Sequence, residues 1–336
     1  MKKKILFICG SLNQTTMMHQ ISKFFDNYDC YFTPYYADGI INYVVSKGYL
    51  NFSILNGAFR KNTEKYLTDN KLKIDYRGEK NDYDLVYTCA DLIYPKNIRN
   101  KKVILVQEGM TDPENLMFYL VKYFKLPRWL ASTSTMGMSN LYDFFCVASY
   151  GYKDFFIKRK NVSPNKIVVT GIPNFDDLKK YFINNFQHKN YVLVCTSDAR
   201  ETFKFENRKK FIKQCVEIAN GKQIIFKLHP NEKFDRAIKE INKYAPGSLV
   251  FTEGNTNEMI ANCDILITQY SSTSFVGLAL GKEVYSYFNV DELKKLLPIQ
   301  NNGTSAERIA RVGLYLLENP NFNSEFIINE FSLRTT

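Results

Sequence analysis

The sequence predicts an α/β protein built from two doubly wound parallel sheets. Short apolar runs, typical of buried parallel strands, alternate along the chain with segments of helical periodicity. Polar clusters follow several of these runs directly, at the sheet edge where ligands bind in open α/β folds. A chain of 336 residues, 45% of them apolar, suits two globular domains that each have a core.

The first half contains five predicted strands, at residues 5–9, 31–33, 84–89, 102–106 and 144–148. A helix is expected over 15–25, with Thr15 or Thr16 as its N-cap, and residues 40–67 have a mostly helical pattern. Strands that alternate with helical segments are the pattern of a doubly wound sheet.

The second half contains six more predicted strands, at residues 166–169, 191–195, 224–226, 249–251, 265–267 and 283–285. Helices are expected over 275–280 and 304–317. We therefore predict two domains, at 1–165 and 166–317, facing each other across a cleft. The last helix, about 318–336, is expected to pack back on the first domain.

The formal charge of +11 fits either a lysine-rich surface or attraction to an anionic partner, such as a nucleotide, a phosphorylated glycan or an acidic membrane. No zinc-finger spacing or recognition-helix signature occurs, so nucleic acid is not an expected partner.

Seven scattered cysteines without a C-x-x-C pair indicate a reducing compartment, with no disulfide or zinc site. The apolar run after Lys2 to Lys4 is too short for a signal peptide. We expect a cytoplasmic protein. Contact with the inner face of the membrane is an open alternative.

Two polar clusters in the second half suggest a phosphate site. Lys227, His229 and Pro230 follow one buried strand, and a Ser-Ser-Thr run follows another, comprising Ser271, Ser272 and Thr273. Histidine, lysine and hydroxyl groups beside helix N-termini can hold a phosphate. The alternatives are that His229 is a packing residue and that the hydroxyl residues only cap a helix.

Other residues after predicted strands are weaker candidates for the nucleotide site: Thr196, Ser197, Arg200 and Glu253. Arg200 is a candidate phosphate or carboxylate ligand, with surface ion pairing as the alternative. Glu253 lies where a carboxylate could bind ribose hydroxyls.

Glu108 is the candidate general base because it ends an apolar strand, where desolvation raises the pKa of a carboxyl group. Gly109 would allow close approach of a substrate. Asp91, at the equivalent position on the neighbouring strand, is the rival carboxylate, and capping of the next segment is the alternative role for Glu108. Gly10 and Ser11 form a tight turn that we place on the acceptor side.

The segment 116–138 interleaves aromatic residues with Lys122, Lys125 and Arg128. Such a helix either lies at a membrane interface or is buried in the first domain.

Together these motifs resemble the nucleotide-sugar enzymes of the GT-B fold, and three subgroups compete. The bacterial sialyltransferases and polysialyltransferases that use CMP-sugars carry an acidic pair before Gly, then His-Pro, then Ser-Ser. Here Glu108-Gly109, His229-Pro230 and Ser271-Ser272 occur in that order, with Gln107 replacing one acid. That resemblance implies Glu108 as base, and His229 and the serines as ligands of the CMP phosphate.

The second subgroup is the CDP-glycerol glycerophosphotransferases of teichoic acid synthesis. Tyr270-Ser271-Ser272 followed by Phe275 is similar to their Asp-Tyr-Ser-Ser pattern, with Gln269 replacing Asp. The His-Pro pair matches as well.

The third subgroup is the non-hydrolysing UDP-N-acetylglucosamine 2-epimerases. Asp91, Glu108-Gly109, Gly171 with Asp176, and His229-Pro230 match their pattern, which adds Gly171 to the candidate nucleotide ligands. Residues 197–201 replace the stretch that holds the catalytic histidine of that family. This favours a shared scaffold and a different reaction.

The resulting hypothesis is an inverting, metal-independent glycosyltransferase without a cofactor. The resemblance implies that residues 1–165 form its acceptor-side domain and residues 166–317 its nucleotide-donor domain. It would move a sugar, with a CMP-sugar favoured as donor, to a glycan or lipid-linked acceptor in bacterial surface glycan synthesis. The alternatives are polyol-phosphate transfer from a CDP-polyol, an epimerase-like enzyme, and a non-catalytic nucleotide-sugar binding protein. The base of the nucleotide, the acceptor and the oligomeric state stay open.

Overall fold

The computed structural model describes residues 2–51, 53–202 and 205–333. The chain divides into two compact units. The first unit comprises residues 1–176 and 301–336, and the second unit comprises residues 177–300.

The first unit contains a parallel sheet of six strands in the order β2-β1-β3-β4-β5-β6. These strands are β1 (Lys4–Cys9), β2 (Asp29–Pro34), β3 (Leu85–Thr88), β4 (Lys102–Val106), β5 (Phe144–Val147) and β6 (Ile167–Val169). Strands β3, β4 and β5 lie inside the sheet and are almost wholly buried, because their near-continuous apolar runs face helices or loops on both sides. The chain changes direction between β1 and β3, which makes their shared carboxyl edge a topological switch point.

The second unit contains a parallel sheet of five strands in the order β11-β10-β7-β8-β9. These strands are β7 (Val192–Cys195), β8 (Ile224–Lys227), β9 (Leu249–Phe251), β10 (Ile265–Thr268) and β11 (Glu283–Tyr285). The switch point of this sheet lies between β7 and β10. Each of the eleven predicted apolar runs therefore forms a strand.

Twelve α-helices lie among the described residues. In the first unit they are α1 (Leu12–Ser22), α2 (Gly39–Ser46), α3 (Gly57–Asp69), α4 (Leu116–Phe124), α5 (Tyr150–Lys160), α11 (Ser305–Glu318) and α12 (Ser324–Phe331); in the second unit they are α6 (Arg208–Ala219), α7 (Phe234–Tyr244), α8 (Thr256–Asn262), α9 (Thr273–Ala279) and α10 (Val290–Leu296). No helix of this described part is both long and apolar enough to cross a bilayer.

The domain boundaries differ from those expected at 165 and 317. Strand β6, which we expected to open the second domain, pairs with β5 in the first sheet. Helix α11 also belongs to the first unit, where the Tyr87 hydroxyl on β3 donates to the Ile309 carbonyl over 3.0 Å. The backbone of Leu333, which follows α12, donates to the Val169 carbonyl on β6 over 2.8 Å. The second unit is consequently a shorter, uninterrupted segment.

Two helix starts also differ from expectation. Ser11, and neither Thr15 nor Thr16, caps α1, because its hydroxyl accepts the Gln14 backbone N–H over 3.2 Å. Pro230 does not open a helix: it lies in a turn closed by the bond from the Glu232 N–H to the His229 carbonyl over 3.0 Å, and α7 begins later.

Candidate functional site

The switch point of the second sheet brings together polar residues that follow β7 and β10. The Ser197 hydroxyl donates to Gln269 Oε1 over 2.5 Å, and Gln269 Nε2 donates to Glu206 Oε1 over 3.0 Å. Gln269 is buried, whereas Ser197 is partly exposed. This pair therefore forms the floor of the crevice where an α/β sheet places its ligand.

His229 follows β8, the next strand along the same edge. Its ring Nδ1 accepts the Asn231 backbone N–H over 3.2 Å, which assigns the proton of the neutral ring to Nε2. The Asp198 carboxylate lies 3.7 Å from Nδ1. The side chain is 39% exposed. His229 is thus an accessible N–H donor, held by its own turn.

The turn of His229 is anchored by a buried carboxylate that the sequence did not single out. Glu232 Oε2 accepts the His229 N–H over 3.0 Å and the Thr196 hydroxyl, while Glu232 Oε1 accepts Arg208 Nη2 over 2.6 Å. Arg208, at the start of α6, also lies 2.8 Å from Glu206 Oε1. Glu232 is two residues beyond Pro230, and only its place in a polar strand-end turn could have pointed to it.

Two expected cationic ligands are occupied by other protein groups. Lys227 is buried, and its ammonium donates to the carbonyls of Leu228 and Thr252, each over 3.1 Å. Burial also lowers the pKa of Lys227. Arg200 makes a two-pronged ion pair with Glu240, at 2.9 and 2.8 Å. These contacts hold both side chains on protein groups, and their expected phosphate contact stays a prediction.

The Ser-Ser-Thr run lies where β10 meets α9. The hydroxyls of Ser271 and Thr273 are 2.9 Å apart, and Ser271 Oγ also accepts the Thr273 N–H over 3.3 Å. Ser271, Ser272 and Thr273 are all partly exposed, so the loop is accessible beside the Ser197–Gln269 pair. Glu253 is exposed in the loop after β9.

Gly171 lies in the first unit, although we expected it in the nucleotide domain. It follows β6 with φ +71°, a left-handed conformation that favours glycine, and its carbonyl accepts the Thr170 hydroxyl over 2.8 Å. Gly171 therefore shapes the end of the first sheet and is not part of the edge that carries His229.

The first unit places Glu108 at its own switch point, where the loop after β4 meets the start of α1. Glu108 Oε1 accepts the Ser11 hydroxyl over 2.8 Å, and Oε2 accepts Gln14 Nε2 over 2.5 Å. Burial raises the pKa of Glu108, and the bonds from Gln14 and Ser11 oppose that rise. Glu108 is thus a partly exposed carboxylate with a raised proton affinity, which suits a base.

Glycine at position 10 leaves room for the Gln14 side chain. A Cβ atom there would lie 2.0 Å from Gln14 Oε1, the other end of the amide that donates to Glu108. Gln14, which the sequence did not single out, therefore packs directly over the turn. Gln107 and Gly109 close the neighbouring loop, since Gln107 donates to the Gly109 carbonyl over 2.8 Å and accepts the Ala148 N–H over 2.9 Å.

Asp91, the rival base, is fully buried and its oxygens are occupied. It accepts Arg128 Nη1 over 2.8 Å and the backbone N–H groups of Gly137 and Ser139 over 3.1 and 3.0 Å. These bonds fasten the segment that follows α4 to the end of β3. Asp91 is therefore a structural carboxylate, and Glu108 is the accessible one of the pair.

Residues 116–130 of the aromatic-basic segment are largely exposed, contrary to the alternative of a buried helix, whereas residues 134–137 are buried. Only Phe118 and Val121 of α4 are buried, together with the ammonium of Lys160, which lies 3.8 Å from the Phe118 ring centroid. Large side chains of α4 and the next turn are exposed: Leu116, Met117, Tyr119, Tyr123, Phe124, Leu126, Trp129 and Leu130.

Several solved structures share this fold along almost their whole length. A UDP-N-acetylglucosamine 2-epimerase superposes with a TM-score of 0.56 at 14% identity, covering 96% of this chain and 98% of that one. The wall teichoic acid polymerase TagF soaked with CDPG gives 0.52 at 11%, covering 95% and 90%. The S. aureus MnaA–UDP complex gives 0.52 at 12%, covering 98% and 91%. A search of curated proteins gave no match.

The two Rossmann-like units and the polar groups at their strand ends define the class: an enzyme of the GT-B type that acts on nucleotide-sugars or CDP-polyols. A family model described as CDP-Glycerol:Poly(glycerophosphate) glycerophosphotransferase matches residues 97–291. This is more than half of the chain, and the protein belongs to that family. The matched range contains Glu108, His229 and the Ser271 loop.

The family corrects our ranking of donors. We favoured a CMP-sugar on the order of three short motifs, and the family match supports instead the alternative that we ranked second, a CDP-polyol donor. The motifs could not separate the two, because both subgroups share the His-Pro and Ser-Ser pairs.

Proposed function

We propose that this protein transfers a polyol phosphate, with glycerol phosphate from CDP-glycerol as the first candidate, to a hydroxyl of a glycan or poly(glycerophosphate) acceptor. The acceptor oxygen attacks the β-phosphorus and forms a new P–O bond. The pyrophosphate P–O bond breaks, CMP leaves, and the hydroxyl proton passes to a base.

The arrangement of His229 is the observation that carries this proposal. Its Nδ1 is occupied by the Asn231 N–H, so Nε2–H points a hydrogen-bond donor into an accessible edge. A donor of this kind stabilises negative charge as it builds on phosphate oxygens. A neutral ring with its proton on Nε2 cannot accept another proton there, so His229 acts as donor and not as base.

The remaining roles follow from each unit separately. In the second unit, Ser271 and Ser272 supply hydroxyl groups at the switch point, beside Ser197, whose own hydroxyl donates to Gln269. In the first unit, Glu108 is the proposed base, since burial raises its pKa while its oxygens stay partly accessible.

A donor panel tests the proposal. The protein is incubated with a short glycerol-phosphate oligomer and, in parallel, CDP-glycerol, a CMP-sugar and UDP-N-acetylglucosamine, and the released nucleotide is quantified. We expect acceptor-dependent release of CMP from CDP-glycerol, and loss of that release in His229→Ala. Release from the CMP-sugar alone would return the assignment to sugar transfer, and release from none would leave a binding protein.

We also propose that the first unit contacts an anionic membrane through the exposed surface of α4 and the following turn. Tyr123 and Phe124 are 72% and 71% exposed, and basic residues flank them: Lys122, Lys125, Lys158 and Arg159. Apolar side chains with a basic rim are the chemistry of an interfacial helix on anionic lipid.

Vesicle sedimentation tests this contact. Burying a phenylalanine stabilises by about 1.5 kcal/mol or more, so Phe124→Ser should weaken partition to vesicles containing phosphatidylglycerol about tenfold. Ile183→Ser, which removes a 92% exposed apolar side chain of the second unit, is the matched control. Equal partition of the wild type to phosphatidylcholine alone, or an equal effect of both substitutions, contradicts the proposed surface.

A further inference from the structure

The His229 turn is held from beneath by a buried ionic network that links three strand ends. Glu232, Arg208 and Glu206 have side chains 1%, 3% and 3% exposed. Arg208 lies between the two carboxylates, 2.6 Å from Glu232 Oε1 and 2.8 Å from Glu206 Oε1. Two buried carboxylates around one guanidinium are costly to desolvate, so we do not expect this network to serve stability alone.

The network ends at the candidate donor site on both sides. On one side Glu232 accepts the backbone N–H of His229, and on the other side Glu206 accepts Gln269 Nε2, which holds Ser197. Arg208 adds a bond to the Ser197 carbonyl over 3.1 Å. The loops after β7, β8 and β10 are thus fixed relative to one another by charged bonds that a neutral substitute could not reproduce.

We propose that Glu232 is a positioning residue for the transfer reaction, acting through His229 without touching the substrate. Its carboxylate accepts hydrogen bonds at both oxygens and has no donor of its own. It therefore fixes the direction of the His229 turn and with it the aim of Nε2–H. This inference rests on the proposed role of His229 and adds the group that gives His229 its orientation.

The first test compares Glu232→Gln with Glu240→Gln. The first replaces an acceptor by an amide donor that faces either Arg208 or the His229 N–H. The control removes the carboxylate that pairs with Arg200 at 2.8 Å; Arg200 lies 3.6 Å from Glu206, the end of the network away from the His229 turn. We expect kcat to fall roughly tenfold to a hundredfold in Glu232→Gln, with KM changed less, and to stay within about twofold in Glu240→Gln.

A double-mutant cycle separates positioning from stability. If Glu232 acts through His229, Glu232→Gln should have little further effect on kcat in the His229→Ala background. The proposal is overturned if the two single-mutant losses in kcat multiply in the double mutant. It is also overturned if Glu232→Gln and Glu240→Gln lose kcat equally. Should Glu232→Gln fail to fold, Thr196→Val replaces it: that hydroxyl donates to Glu232 and accepts the His229 N–H over 3.1 Å. It should lower kcat severalfold, and an unchanged kcat overturns the proposal equally.

A readout on the free protein keeps this test independent of the donor. The chain has three histidines, so the His229 ring signals in a ¹⁵N-histidine spectrum can be assigned by their loss in His229→Ala. We expect Glu232→Gln to shift and broaden those signals and Glu240→Gln to leave them in place. If they move while no donor turns over, the proposed function fails and only the orientation of the His229 ring by Glu232 is supported; if they do not move, the positioning role fails.

Discussion

Replacing His229 by glutamine, asparagine and alanine separates an N–H donor from a base. The glutamine amide nitrogen can reach the position of Nε2, whereas the shorter asparagine amide reaches only that of Nδ1. The bond from the Asn231 N–H to Nδ1 is the observation from which we propose the donor role of His229. Glutamine should therefore retain part of the wild-type rate, and asparagine and alanine should not.

The magnitude follows from what one such donor contributes. Loss of a single preorganised donor to developing negative charge costs about 2.7–4 kcal/mol, or roughly 10²–10³ in kcat. His229→Ala and His229→Asn should show this loss, and His229→Gln should recover at least about tenfold of it. The ring is 39% exposed and its removal forfeits one local hydrogen bond, so the stability cost should be only about 1 kcal/mol.

The assay is steady-state release of CMP from CDP-glycerol, measured alongside urea unfolding of each variant. The unfolding curves exclude misfolding as the cause of a lost rate. If glutamine and alanine are equally inactive while both remain folded, His229 acts as a base or as a required cation, and the donor assignment is refuted.

Three further predictions concern stability and the first unit. Asp91→Ala should lower the free energy of unfolding, measured by urea titration, by about 3–5 kcal/mol. The substitution leaves Arg128 and two backbone N–H groups without their buried partner. A loss under about 1 kcal/mol would contradict this role of Asp91. Gly313→Ala should destabilise the folded protein by about 1–3 kcal/mol, although alanine has the higher helix propensity. The added Cβ would lie 2.0 Å from the Tyr87 hydroxyl. An unchanged melting temperature would refute that packing. Burial raises the pKa of Glu108 in the folded state. The wild type should therefore lose stability relative to Glu108→Gln as the pH rises from the pKa of an unfolded glutamate, ~4.3, through the pKa of folded Glu108. A difference in melting temperature between the two proteins that does not change with pH would contradict this.

The sheets were predictable because their strands are short apolar runs bounded by polar turns, from β1 to β11. Parallel pairing places the carboxyl ends of neighbouring strands at one edge, which is why the sequence could place His229 and Ser271 along the same edge of the second sheet. The first and last residues of the helices were harder to predict. Ser11 and Thr15 are equally good caps by residue type, and Ser11 is the cap where its hydroxyl also reaches Glu108.

Long-range pairings explain the other differences. Arg200 has the residue type and position of a phosphate ligand, and only the fold shows that Glu240, forty residues later, occupies it. Asp91 and Glu108 both end strands, and only the return of Arg128 distinguishes them. Glu232 and Gln14 were missed because neither belongs to a sequence motif. Their contacts, with the His229 N–H and with the Glu108 carboxylate, are visible only in the fold.

The most direct test of the central claim follows the β-phosphorus of the donor. CDP-glycerol labelled with ³²P at the β-position is incubated with the enzyme and a glycerol-phosphate oligomer, and the products are separated. Transfer of polyol phosphate predicts that the label enters the oligomer while unlabelled CMP is released, and that both stop in His229→Ala. Label that stays with a cytidine nucleotide while the acceptor is extended, or an acceptor extended only from a sugar nucleotide, would contradict the account.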